Sequence, residues 1–216
     1  MAWNSHTIDT IEEYRALRGD GRQMMYDKSV TVIDEHIRAF LALTTFVTVA
    51  SADAEGNMDV SPRGDPPGFV TVLDESTLAI PERAGNRRAD TFTNLLQNPS
   101  VALLCFVPGM DETMRINGRG HLTTDPELLA TMTVEGHTPA LALVVEVGEA
   151  FIHCGKALNR GRLWDPDARI DRSIYPTVGE VIFDHGNLGA LGYTRDYLIE
   201  CAEDDYATNV YPSAEA

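Results

Sequence analysis

The chain has 216 residues, enough for one domain with a substantial core. It carries 33 acidic against 17 basic residues, and this net charge of −16 excludes an extended nucleic-acid surface but not a local phosphate pocket. No apolar run reaches the ~20 residues of a membrane span, and no secretory signal is evident, so we expect a cytoplasmic protein with no membrane partner. Three cysteines fit neither a disulfide framework nor a zinc motif, so we expect no metal.

The first 43 residues show helical spacing in two places. Ile8, Ile11, Tyr14 and Leu17 recur at helical intervals before a turn at residues 19–21. Ser29 is predicted to cap a second helix with an inward-facing apolar stripe of Val30, Ile33, Ile37, Phe40 and Leu41.

From Thr44 onward the pattern becomes that of strands. Residues 45–51 and 58–63 predict a β-hairpin around a turn at 53–57. The later elements are expected as strands at 69–73 and 77–80, a helix at 89–97, a strand at 100–107 buried on both faces, a long strand at 113–122 interrupted at Gly118, a helix that begins at Asp125-Pro126, and a strand at 140–152. Six or seven strands joined mostly by turns, with one helix between the fourth and fifth, favour an antiparallel closed or half-open barrel over a parallel βαβ fold.

The predicted fold class is therefore mainly β with peripheral helices (α+β). We expect a single domain over residues 1–216, made of an N-terminal helical segment at 1–43, a barrel core at 44–153 and a C-terminal helical and loop segment at 154–216.

Arginines gather in three patches of this acidic chain, at residues 58–70, 80–88 and 112–120. The chain has two lysines against fifteen arginines. This preference for arginine either serves bidentate phosphate contacts or reflects genome composition. The middle patch places Asn86, Arg87 and Arg88 beside the start of the 89–97 helix, where free backbone N–H groups attract anions. This arrangement predicts a bound phosphate.

Three motifs together resemble the pyridoxamine 5′-phosphate oxidase-like flavoproteins. They are Ser61-Pro62-Arg63-Gly64-Asp65-Pro66-Pro67-Gly68-Phe69, Pro81-Glu82-Arg83-Ala84-Gly85-Asn86-Arg87-Arg88-Ala89-Asp90 and Thr113-Met114-Arg115-Ile116-Asn117-Gly118-Arg119. A later run at 151–165 is similar to one branch of the same superfamily, and the likeness covers roughly residues 33–164.

The resemblance implies an antiparallel FMN-binding split β-barrel that forms a homodimer, with FMN at the subunit interface. It implies that the strand with Ser61 and Arg63 and the loop with Asn86 to Arg88 hold the phosphate, and that the partner contributes around Thr113 and Trp164. The predicted cofactor contacts are Ser61, Arg63, Pro81, Arg83, Asn86, Arg87, Arg88, Thr113, Lys156 and Trp164.

Several of these residues have a second interpretation. Arg88 could pair with Asp90 instead, Arg83 could face either side of its turn, and Trp164 could serve packing alone.

Three residues are predicted to meet the substrate, namely Arg115, Arg119 and His153. The two arginines share a strand face and either bind an acidic substrate or form inter-subunit ion pairs. Cys154 beside His153 is interpreted as a packed thiol rather than a nucleophile, because adjacent strand residues point to opposite faces. Cys105 is assigned to the core.

The expected function is that of an FMN-dependent oxidoreductase acting on an unidentified small molecule. The flavin performs the redox step, so no catalytic side chain is predicted. The oxidase's Arg-x-Val-Leu-Leu-Lys strand and its C-terminal Arg-Leu-His-Asp clamp have no counterpart here, so we expect a substrate other than pyridoxamine phosphate. The alternatives are a deazaflavin (F420)-dependent reductase on the same fold and a non-catalytic flavin or haem carrier.

Overall fold

A computed structural model describes residues 3–85 and 88–211 of the chain. Three helices precede the first strand: α1 (Ile11–Arg18), α2 (Met24–Asp27) and α3 (Glu35–Leu43). Thr10 and Glu13 form a reciprocal capping box at the start of α1. Asp34 caps α3 through Ile37 N, so the prediction of Ser29 as the cap was wrong; Val30 instead forms an isolated bridge with Ala150. The helix begins only after Asp34, because the Asp34 carboxylate accepts from the backbone N–H three residues further on.

Seven antiparallel strands form one sheet in the order β2-β1-β5-β6-β7-β4-β3. Their bounds are β1 (Phe46–Ala52), β2 (Met58–Gly64), β3 (Thr71–Val72), β4 (Thr77–Pro81), β5 (Ser100–Phe106), β6 (Thr113–Thr123) and β7 (Ala142–His153). This confirms the mainly β, antiparallel class and the helix between the fourth and fifth strands, which is α4 (Asp90–Gln97). The sheet is not closed into a barrel by hydrogen bonds among the described residues.

Side-chain alternation gives the sheet two distinct faces. In β1, Val47 and Val49 are buried while Phe46 is exposed, and β5 alternates in the same way. The prediction that 100–107 is buried on both faces was therefore wrong: on the outward side Ser100 is exposed and Ala102, Leu104 and Phe106 are only partly buried, which an apolar count does not distinguish. We call the face with Val47 and Val49 the inner face and the opposite one the outer face.

The long strand β6 is irregular at the predicted glycine. The β6–β7 register shifts between Asn117 and Gly118. A Cβ at Gly118 would lie 2.1 Å from Glu146 O, so only glycine allows this approach.

The sheet curls so that its distant parts meet. Asp65, just after β2, lies 2.7 Å from Arg83 Nε, just after β4, although β1, β5, β6 and β7 separate these strands in the sheet. The core fills the inside of the curl beneath α3 and α4, with Leu41, Leu103 and Ile116 fully buried. A second small cluster around Leu129 packs α5 (Pro126–Thr131), which Asp125 caps as predicted, on the sheet.

The chain after the sheet is helical. It contains α6 (Lys156–Gly161), α7 (Val178–His185) and α8 (Arg195–Thr208), with 3₁₀ turns at Pro166–Ala168, Arg172–Ile174 and Leu188–Leu191. A further 3₁₀ turn, Trp3–Ser5, lies before α1. Within residues 3–85 and 88–211, no helix is both long and apolar enough to cross a membrane.

Candidate anion site and adjoining cleft

Three polar residues of β2 face inward at the edge of the sheet. Asp59, Ser61 and Arg63 alternate with exposed neighbours and are each partly buried. They lie beside the first turn of α4, which packs against β1 and β2. The period-2 pattern that predicted this strand therefore also brings Ser61 and Arg63 to one place.

A chain of hydroxyl groups ties β2 to α4. Thr91 Oγ1 donates to Asp59 Oδ2 at 3.1 Å and lies 2.7 Å from Ser61 Oγ. Because the Thr91 proton goes to Asp59, Ser61 donates to Thr91. Ser61 thus holds the start of α4 in position, and its oxygen keeps only acceptor capacity in this arrangement.

Arg63 is a half-buried cation without a close counter-ion. Its guanidinium donates to Pro62 O at 3.0 Å and lies 5.3 Å from the centroid of the Phe92 ring. No carboxylate among the described residues is within ion-pair distance of it. Burial lowers the pKa of Arg63, and the more distant charges of Glu82 and Asp59 oppose that shift. Burial likewise raises the pKa of Glu82, and the positive charge of Arg63 offsets part of that rise.

The start of α4 adds backbone donors to this place. Ala89 precedes the helix in a left-handed conformation (φ 59°), and no side chain of the described residues caps it. The Arg88 Nε donates to the carboxylate of Asp90, as the alternative interpretation of Arg88 had it. Asn86 and Arg87, the predicted centre of the phosphate loop, lie outside the described residues.

Arg83 faces the protein interior. Its guanidinium donates to Asp65 Oδ2 at 2.7 Å, Met132 O at 2.7 Å and His137 O at 3.3 Å. The Asp65 side chain is fully buried and also accepts from Tyr211 Oη at 2.5 Å. Three protein acceptors thus already occupy Arg83, whose contact with a cofactor stays a prediction.

A cleft of about 880 Å³ adjoins both arginines. Pro62, Arg63, Pro81 and Arg83 line it from the sheet, and the helices α7 and α8 line it from the other side. Pro81, which is buried at the end of β4, therefore contributes an apolar wall.

The predicted substrate residues lie elsewhere, around the outer face of β6 and β7. Arg115 and Arg119 are exposed there, and Arg115 lies 5.6 Å from the centroid of the Phe151 ring. Thr113 is buried at the start of β6, opposite His153. Within one subunit these residues do not join Ser61 and Arg63, which face inward.

Lys156 and Trp164 follow β7. Lys156 is exposed at the start of α6, and Trp164 Nε1 donates to Met110 O at 2.7 Å. Cys105 is fully buried, which raises the pKa of its thiol to about 12. Cys154 is exposed in the single chain, because the strand ends at His153, so its packing at a subunit interface stays a prediction.

Sequence reasoning missed four residues of this region: Asp59, Asp65, Thr91 and Tyr211. Asp59 and Asp65 flank Ser61 and Arg63 in the patch at residues 58–70, so their charge next to a predicted anion site was an available signal. No local pattern connects Tyr211 with Asp65, because 146 residues separate them.

The chain is similar to one known protein family and to several solved structures. The family model of pyridoxamine 5′-phosphate oxidase matches residues 33–154, more than half of the chain. No curated protein matches the chain. Among solved structures, HupZ of Group A Streptococcus is 15% identical, with 56% of this chain and 93% of that chain covered and a TM-score of 0.46.

Two further structures show similar coverage. General Stress Protein 26 of Bacillus anthracis is 11% identical over 55% of this chain and 91% of that chain, with a TM-score of 0.43. The haem storage protein HutZ of Vibrio cholerae is 14% identical over 56% and 94%, with a TM-score of 0.39. On the match of its residues 33–154, the chain belongs to the pyridoxamine 5′-phosphate oxidase family.

Proposed function

We propose that the protein is an FMN-dependent oxidoreductase that binds the cofactor phosphate where β2 meets the start of α4. The half-buried guanidinium of Arg63 carries this proposal. A cation withdrawn from water without a counter-ion is costly, and a phosphate that receives its hydrogen bonds offsets that cost.

The surroundings of Arg63 fit a phosphate. No side chain of residues 3–85 and 88–211 caps the first turn of α4, which presents backbone N–H groups and the positive end of its dipole. The hydroxyl chain from Ser61 through Thr91 fixes this turn beside β2. The predicted contacts of Asn86 and Arg87 come from the loop directly before the helix and would complete the site.

FMN, when bound, supplies the redox chemistry, so the residues of the chain are needed to bind and orient it. The family commonly binds flavin, which favours FMN over the other cofactors weighed from the sequence.

We also propose that the protein works as a homodimer with the cofactor at the subunit interface. The outer face exposes Phe46 (40%), Met58 (70%) and Val60 (62%) on neighbouring strands, and a second copy would cover these apolar side chains. Arg115 and Phe151 border this surface, so dimerisation would bring the predicted substrate residues to the interface.

Purified protein tests the function directly. We expect an absorbance maximum near ~450 nm from bound flavin, release of FMN on denaturation, and bleaching of the flavin by NADH or NADPH. A colourless protein that fails to take up added FMN would refute the proposal, and uptake without any bleaching would reduce it to a carrier. Replacing Val60 with Glu should convert the dimer to a monomer in light scattering, whereas an unchanged mass would refute the proposed interface.

A further inference from the structure

Basic side chains gather around one aromatic ring on the outer face of β6 and β7. The Nζ atom of Lys28 lies 5.3 Å from the centroid of the Phe151 ring, and the guanidinium carbon of Arg115 lies 5.6 Å from it. The imidazole of His153 lies 6.5 Å from the same ring, centroid to centroid. We call Lys28, Arg115, Phe151 and His153 the basic cluster.

Sheet register and one bridge of the N-terminal segment assemble this cluster. Arg115 faces Phe151 in the register of the β6–β7 pair, and His153 lies two residues further along the same face of β7. The isolated bridge from Val30 to β7 runs the N-terminal segment alongside this strand. Lys28 Nζ then donates to the backbone carbonyl that precedes His153, at 2.7 Å, and this hydrogen bond holds the ammonium group beside the ring.

The basic cluster has no acidic partner within residues 3–85 and 88–211. No carboxylate oxygen in that part of the chain lies within 4.0 Å of a charged nitrogen of the cluster. Two acids that neighbour the cluster in the chain or on its strand serve other donors. Asp27 accepts from the Gln23 amide at 2.8 Å, and Glu149 accepts from the Asn117 amide at 2.8 Å.

This grouping of charge favours an anionic ligand. Like charges on neighbouring side chains repel each other, and a negative group placed among them offsets that repulsion. The chain has 33 acidic against 17 basic residues, so it holds enough acids to pair with every basic residue. Lysine and arginine bind carboxylate and phosphate oxygens through charge-assisted hydrogen bonds, which a neutral ligand does not form.

We propose that the basic cluster recognises the substrate of the flavoenzyme by a carboxylate or phosphate group, with Lys28 as a specificity-determining residue. This inference rests on the proposed function for its link to catalysis. Thr113, a predicted contact to the partner's flavin, lies opposite His153 in the β6–β7 pair. The cluster would therefore hold the anionic group of the substrate near that flavin, while anion binding itself can be measured without turnover.

Benzoate and benzamide test the proposal, because they are similar in size and differ in charge. Isothermal titration calorimetry on the full chain with excess FMN should show that benzoate binds at least tenfold more tightly than benzamide. Phenyl phosphate is the second anionic probe, and it should also bind at least tenfold more tightly than benzamide. The tighter of the two anions identifies the group that the cluster prefers.

Lys28→Met and Arg115→Met should each weaken benzoate binding at least threefold and leave benzamide binding unchanged. The matched control is Arg38→Met, which removes an exposed arginine of α3 outside the cluster and should keep the preference for benzoate. Equal affinities of the wild type for benzoate and benzamide, or unchanged benzoate affinity in Lys28→Met, would overturn the proposal.

Two further outcomes separate this proposal from its neighbours. If the two variants became monomers in light scattering with unchanged benzoate affinity, the cluster would form inter-subunit ion pairs and the proposal would fall. A preference for benzoate that depends on Lys28, in a chain that binds no FMN, would uphold the anion site and refute the flavoenzyme. FMN binding without that preference would do the reverse.

Discussion

Replacing Arg83 with Met is expected to destabilise the protein strongly, because the arginine joins two distant parts of the sheet. Its side chain is 14% exposed and that of Asp65 is 0% exposed, with 2.7 Å between them. Removing one partner of a buried ion pair leaves an uncompensated charge, which costs ~3–5 kcal/mol. That is a large fraction of the ~5–15 kcal/mol by which proteins are stable.

Urea unfolding followed by circular dichroism would measure this loss. Arg162→Met is the matched control, since Arg162 forms an exposed pair with Asp165 at 2.6 Å and should cost less than ~1 kcal/mol. Adding Asp65→Asn to Arg83→Met should recover part of the stability, because it removes the stranded charge. A loss below ~1 kcal/mol for Arg83→Met, or strict additivity in the double variant, would refute this view of the sheet contact.

Three further outcomes are expected. Glu82→Gln should stabilise the protein near neutral pH and tighten FMN binding through Arg63. Burial raises the pKa of Glu82 in the folded state, so the ionised carboxylate of the wild type costs stability above pH about 4.5. The gain in the free energy of unfolding, measured in urea, should therefore vanish below that pH. The wild type should lose stability between pH ~10 and 12, because the Tyr211 phenol keeps its proton up to about 12 only in the folded state. Tyr211→Phe should lack this loss, and an unchanged alkaline unfolding profile would contradict the hydrogen bond to Asp65. Gly179→Val should separate α7 from α8, because a Cβ there would lie 2.4 Å from a carbonyl oxygen of α8, and faster amide hydrogen exchange confined to these helices would show it.

Local patterns predicted most of the sheet. Alternating β-branched residues identified the strands, and Asp125 followed by Pro126 marked α5 because both act within one turn. Ser29 failed as a cap because the helix begins only after Asp34, whose carboxylate accepts from Ile37 N. In each case the deciding interaction joins residues that are close in sequence.

The candidate site likewise contains neighbours that the sequence predicts and contacts that it does not. Ser61 and Arg63 share the inner face because strand geometry places alternate residues together. Asp65 contacts both Arg83 and Tyr211. These two contacts depend on how the whole sheet curls and on where the residues after α8 pack against it. Such long-range contacts leave no periodic signal in the chain.

The most direct test of the phosphate site is to compare the affinities of FMN and riboflavin, which differ by that phosphate alone. A charge-assisted contact of ~1.5–3 kcal/mol predicts that FMN binds roughly 10- to 150-fold more tightly than riboflavin. In Arg63→Met this ratio should fall at least tenfold, while Arg18→Met, which changes an exposed arginine of α1, should preserve it. Equal affinities of the wild type for both flavins, or an unchanged ratio in Arg63→Met, would contradict the account.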